Sequence, residues 1–140
     1  MKIIAIDPGA IHCGVAEFVD GRCWRVAEYD PDGLFEYLDM MMSSASEDVE
    51  LVVVESFRLY PGKAAAQAWS KMGTVEVIGV IRFLTTQHEV ELLEQGAWVK
   101  KIARVRMKAQ GVDNLAVTQR MGRHCADAVE HGWYFLKGQG

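Results

Sequence analysis

The chain has 140 residues, half of them apolar, and carries 15 Lys and Arg against 19 Asp and Glu for a net charge of −4. That size and apolar fraction fit a single domain over residues 1–140 with its own core. Three cysteines (Cys13, Cys23, Cys125) with no C-x-x-C spacing exclude a disulfide framework and a zinc knuckle, and are expected to be reduced and buried or half-buried. The N-terminus runs straight into a strand pattern, so neither a signal peptide nor a membrane span is expected, and a cytoplasmic setting is expected.

Residues 2–7 (KIIAID) alternate and end on an acid, and residues 13–19 (CGVAEFV) form a second strand-like run after a Pro-Gly turn. Asp20-Gly21 signals a tight hairpin into RCWRVAEY, the third strand of an antiparallel opening. Asp30-Pro31 reads as an N-cap followed by proline at the first helical position, with Leu34, Phe35, Leu38, Met41 and Met42 at helical spacing behind it. The apolar, β-branched run 51–54 (LVVV), ending at Glu55, has the pattern of a central strand buried on both faces. Residues 63–86 are rich in Ala and long enough for a helix, in which Gly73 and Gly79 mark a bend or a close contact. Residues 89–93 (EVELL) are expected to form a fifth strand. A basic segment at 97–105, an irregular stretch around Gly111 and a last helix over 122–137 complete the chain. The order β-β-β-α-β-α-β-α implies an α/β fold, a mixed five-stranded sheet flanked by helices.

Net charge alone argues against a nucleic-acid partner, because phosphate neutralisation dominates such affinity. Its distribution argues the other way. Between Trp98 and His124 stand seven basic residues (Lys100, Lys101, Arg104, Arg106, Lys108, Arg120, Arg123) and one acid, Asp113, a local +6 that leaves −10 elsewhere. One region can meet a polyanion while the rest repels it.

Acids that end apolar strands are the most informative feature, since a carboxylate at the lip of a core needs a compensating reason to be there. Asp7 and Glu55 both stand in that position, and neighbouring strands would bring them to a shared cation. Asp127 on the last helix completes the set, with His124 three residues before it on the same helical face. Ala126 and Ala128 are small enough to let that helix approach the sheet, and His131 lies on the same face one turn on. Each residue alone has a plainer reading: Asp7 before Pro8-Gly9 starts a turn, Glu55 and Asp127 are surface acids, and the histidines hold no ligand. The combination carries the case. Phosphodiester hydrolysis needs an activated water and relief of charge on the leaving oxygen, which two cations about 3.5 to 4 Å apart supply. Mg²⁺ prefers such oxygen ligands, and a histidine ligand makes Mn²⁺ acceptable.

IIAIDPGAIHCGVA, VVVES and HCADAVEHG, in that order and spacing, resemble the three motifs of the RuvC family of Holliday junction resolvases, over nearly the whole chain. The resemblance implies an RNase H-like fold and a two-metal-ion endodeoxyribonuclease that uses Mg²⁺ or Mn²⁺. Its ligands become Asp7, Glu55, His124 and Asp127, with His124 standing where many members carry Asp. Lysines near the scissile phosphate correspond to Lys100 and Lys108, and an aromatic that stacks at the crossover corresponds to Phe57 or Tyr60. Lys101 and Arg104 join Lys100 and Lys108 as DNA-binding residues of the basic segment. The implied partners are branched DNA, a four-way junction first, and a second copy of the chain in a homodimer, with the Ala-rich helix around residues 64–86 as the candidate interface.

Other readings compete. D-P-G-x-x-x-x-G resembles the first loop of actin-like and sugar-kinase ATPases, but those enclose their nucleotide between two such domains. A RuvC-like RNA-processing nuclease, a structure-tolerant flap or single-strand DNA endonuclease, and a degenerate DNA-binding module are the alternatives. The last gains nothing from a negative cluster that repels phosphate.

Overall fold

Side-chain alternation along the first strand decides which helices it meets, and the same parity runs through the sheet. The computed structural model of the chain describes residues 1–57 and 64–138, and for residues 64–72 and 138 the backbone alone. Strands β1 (Lys2–Asp7), β2 (Cys13–Val19), β3 (Arg22–Tyr29), β4 (Val49–Glu55) and β5 (Glu91–Gln95) form one sheet in the order β3-β2-β1-β4-β5. The first three are antiparallel, whereas β1–β4 and β4–β5 are parallel. Asp20 and Gly21, at φ 50° and 83°, supply the left-handed pair that a two-residue hairpin between β2 and β3 requires.

Ile4, Ile6, Val15, Val52 and Val54 face α1 (Pro31–Ser43) and α2 (Ala64–Gln87), packing on Leu34, Leu38, Val77, Ile78 and Ile81. Ile3, Ala5, Ala16, Phe18, Leu51 and Val53 face the other way, onto α3 (Trp98–Ala109), the short α4 (Leu115–Thr118) and α5 (Arg123–Trp133), which runs into a π-helical turn at Tyr134–Gly138. By that parity Asp7 and Glu55 project from the α5 side. Asp30 caps α1 by accepting from the Gly33 amide at 2.7 Å. No helix among the described residues is long and apolar enough to cross a membrane. The three cysteines are free, Cys13 and Cys125 buried and Cys23 half-buried.

The second face is thin because of the residues that form it. Gly14 of β2 pairs with Asp7, and a Cβ there would lie 2.1 Å from the His124 carbonyl oxygen and 2.5 Å from the Cys125 nitrogen. A Cβ at Gly132 would lie 2.1 Å from Phe18 Cε2. Two glycines, one on the strand and one on the helix, therefore set how closely α5 lies on the sheet. Ala126 and Ala128 are buried in the same contact.

Two sequence expectations shift, and two readings left open become definite. The fifth strand spans 91–95 rather than 89–93, because α2 ends in a Schellman cap: Glu89 is left-handed at φ 56°, its amide donates to Thr86 O, and the Val90 amide donates to Thr85 O. α2 runs through Gly73 and Gly79 as one helix; Gly73 is a close contact with Ala10, and a Cβ at Gly79 meets nothing within 4 Å. The basic segment is itself a helix, α3, whose Val99, Ala103 and Met107 are buried. The last α-helix stops at Trp133, where the π turn takes over.

Candidate functional site

Parallel pairing of β1 and β4 sets Ile6 beside Val54, so the strand ends Asp7 and Glu55 follow side by side. Across β4, Glu55 pairs with Gln95, which ends β5. Helix α5 lies over this row and brings His124 and Asp127 to it, and α3 brings Lys100. A cleft of about 150 Å³ is lined by Asp7, Glu55, Ser56, Phe57, Thr74, Lys100, His124 and Asp127, with Pro8 at its edge.

Within the cleft every acid has a partner. His124 Nδ1 lies 2.9 Å from Asp7 Oδ2. Lys100 Nζ lies 2.8 Å from Glu55 Oε1 and 3.1 Å from Asp127 Oδ2, so one ammonium bridges two carboxylates. Arg123 Nη2 stands 2.6 Å from Asp127 Oδ1 as an ion pair, yet that buried oxygen has no aligned hydrogen-bond donor among the described residues. His131, fully buried, reaches Glu55 Oε1 from Nε2 at 3.3 Å and Gln95 Oε1 from Nδ1 at 2.7 Å.

Burial, then hydrogen bonding with Glu55 and the negative charges of Glu55 and Asp127, pushes the Asp7 carboxyl up to about 9. Burial alone would raise Glu55 too, but His131, Asp7 and Lys100 outweigh it and hold that carboxyl down at about 2. Asp7 therefore holds a proton more tightly than Glu55 does. Lys100 and Arg123 offset the charge of the carboxylates in the cleft, and the oxygen-rich donor set they hold fits a hard divalent cation. As the side chains rest, no three His, Cys, Asp or Glu groups among the described residues enclose an ion, because Lys100 and Arg123 hold Glu55 and Asp127. Asp7, Glu55 and Asp127, with a nitrogen from His124, are the donors that would take one up as Lys100 withdraws.

The remaining sequence candidates are placed as follows. Phe57 lines the cleft while packing partly on the α1–α2 side of the core. Tyr60 lies outside the described residues. Lys101 and Lys108, seven residues apart, are exposed along one stripe of α3. Arg104 points to α5 instead: Nε donates to Glu130 Oε2 at 2.8 Å and Nη2 to Oε1 at 3.2 Å, and Arg123 shares the same buried acid at 2.7 Å. These pairs brace α3 against α5. Sequence reasoning missed Gln95, Arg123 and Thr74. Gln95 has the same signal as Asp7 and Glu55, a polar residue ending an apolar strand, and the strand ending drawn at Leu93 hid it.

No protein-family model matches the chain, and no curated protein does. Solved structures do. Thermus thermophilus RuvC in complex with a Holliday junction substrate is similar at a TM-score of 0.66 and 16% identity, over 99% of this chain and 95% of that one. The chain has a RuvC-like, RNase H-like fold. A second Thermus thermophilus RuvC structure gives a TM-score of 0.64 at the same 16% identity, over 99% of this chain and 97% of that one. Fold alone leaves the chemistry open, since one fold hosts many activities, and the function rests on the cleft.

Proposed function

We propose that the chain is a metal-dependent endonuclease that cuts branched DNA, acting as a RuvC-like Holliday junction resolvase. The observation that carries this reading is the convergence of Asp7, Glu55 and Asp127 with His124 and Lys100 in one cleft at the ends of parallel strands. Mg²⁺ or Mn²⁺, held by Asp7, Glu55, Asp127 and His124, would supply charge relief and an activated water for phosphodiester hydrolysis. Lys100, paired with Glu55 and Asp127, keeps its ammonium in the cleft where a phosphate would enter, and Phe57, which lines the cleft, would offer a stacking face to an unpaired base. A RuvC-like fold in a structure complexed with a junction supports the choice of substrate over linear duplex.

His124 tunes the choice of cation. An imidazole nitrogen tolerates Mn²⁺ better than an added carboxylate does, so His124→Asp is expected to raise the ratio of Mg²⁺- to Mn²⁺-supported cleavage. Initial rates in each cation check this; an unchanged ratio returns His124 to the role of a hydrogen-bond partner for Asp7.

Duplex arms of the substrate lie along α3, where Lys101 and Lys108 are exposed and have no acidic partner among the described residues. Replacing both with Gln is expected to weaken binding and flatten its log-log salt slope by about 0.9 per lost phosphate contact. Arg104→Gln is expected to act instead through the buried Glu130, left with Arg123 as its remaining partner, lowering the melting temperature. Gel-shift titrations across salt, beside thermal melts, separate the two.

Two incisions on strands related by symmetry need two clefts, which a twofold dimer provides. The exposed Val75, Gly79 and Phe83, one turn apart along α2, give a face that a second copy can cover. A flap or single-strand endonuclease and an RNA-processing nuclease use the same cleft. Incubation with labelled four-way junction, flap, single-stranded DNA and RNA in Mg²⁺ and in Mn²⁺ tests the reading. Preferred cutting of the junction is the expected result, and faster cutting of flaps, single strands or RNA replaces the resolvase with the corresponding alternative.

A further inference from the structure

His131 is a fully buried imidazole that the cleavage chemistry described above does not use. It sits one turn beyond Asp127 on α5, outside the lining of the cleft, and both ring nitrogens have partners: Gln95 at 2.7 Å and Glu55 at 3.3 Å. Gln95 is also buried, and its Nε2 has no acceptor among the described residues. Half a turn of that amide exchanges its oxygen and nitrogen. Nε2 then donates to His131 Nδ1, and the single ring N–H remains on Nε2, aimed at Glu55 Oε1. The Gln95 backbone carbonyl in turn accepts from Ser56 N at 2.7 Å and Ser56 Oγ at 3.1 Å, which ties the end of β5 to the residue after Glu55.

We propose that Gln95 and His131 form a positioning relay that fixes the Glu55 carboxylate for cation uptake. The inference rests on the metal reading of the cleft. Glu55 Oε1 is shared between Lys100 and His131, so without Lys100 that oxygen would still be held by His131 from behind. A ligand whose orientation is set by hydrogen bonds from behind loses less conformational freedom on binding, and removing such partners typically weakens metal affinity by 10–100-fold. Neither His131 nor Gln95 lines the cleft; both act through Glu55.

Mn²⁺ binding followed by electron paramagnetic resonance, without DNA, tests the relay on the full chain. Gln in place of His131 keeps a donor at the reach of Nε2, whereas Asn reaches only as far as Nδ1. His131→Asn and Gln95→Met are therefore expected to weaken Mn²⁺ binding about 10-fold or more, and His131→Gln to stay within about threefold of wild type. Thermal melts run alongside, and Gln95→Met, which leaves α5 intact, decides the matter if His131→Asn does not fold. Folded variants that keep wild-type Mn²⁺ affinity while losing only thermal stability overturn the relay and make His131 a packing residue. If the wild-type chain takes up no Mn²⁺, the metal reading itself is overturned and the relay falls with it.

Discussion

Asp7→Asn, Glu55→Gln and Asp127→Asn are each expected to reduce single-turnover DNA cleavage by about a thousandfold, equivalent to about 4 kcal/mol of transition-state stabilisation. Binding of the same DNA is expected to hold or tighten. The asymmetry follows from charge. Each carboxylate is needed to hold a cation, yet in the cation-free cleft the charges of Glu55 and Asp127 repel phosphate, so an amide at either keeps the shape and removes the repulsion, while at Asp7, whose carboxyl is pushed up to about 9, the amide leaves binding unchanged. The three substitutions are not expected to add, because the carboxylates act as one unit. Paired single-turnover and gel-shift measurements on each variant check this, and near-normal cleavage by Asp7→Asn removes Asp7 from the site.

Gly14→Ala is expected to be strongly destabilising, by about 3 kcal/mol or more, lowering the melting temperature by about 10 °C. The added Cβ meets backbone, the His124 carbonyl and the Cys125 amide, and backbone cannot swing aside as a side-chain end can. Relief requires lifting the N-terminal end of α5, which carries His124 and Asp127 away from Asp7, so cleavage is expected to fall even in the folded fraction. Gly79→Ala is the control: its Cβ meets nothing within 4 Å among the described residues, and it is expected to raise stability by up to about 1 kcal/mol. Thermal melts of the two variants decide whether the glycine on β2 fixes the helix position.

Much of this architecture is legible in residue order because parity and turn chemistry are local. KIIAID and LVVVE place their terminal acids on the same side as Ile3, Ala5, Leu51 and Val53, and the Asp20-Gly21 hairpin and Asp30 cap act within a few residues. Other features depend on distant partners. The basic stretch after Gly96 is a helix because Val99, Ala103 and Met107 find a core beneath them, and its charges draw the eye from that three-residue stripe. Arg104 reads as a DNA contact until α5 sets the buried Glu130 against it. His131 is one more helical histidine in sequence, and only the parallel pairing of β4 with β5 brings Gln95 and Glu55 to its two nitrogens. Gly14 is similar: D-P-G-x-x-x-x-G contains it, but its need to be glycine comes from a helix 110 residues later.

If this cleft, charged with a divalent cation, hydrolyses phosphodiester bonds at a DNA branch point, the nicks it leaves have a defined pattern. That pattern is read by mapping the nicks made by the wild-type chain on an immobile four-way junction, labelled on each strand in turn, in Mg²⁺, in Mn²⁺ and in excess chelator. Paired nicks at symmetry-related positions on two opposing strands, present with either cation and absent with chelator, are the expected result. No cleavage in either cation, or cleavage that persists in chelator, would contradict metal-dependent junction cutting by this chain.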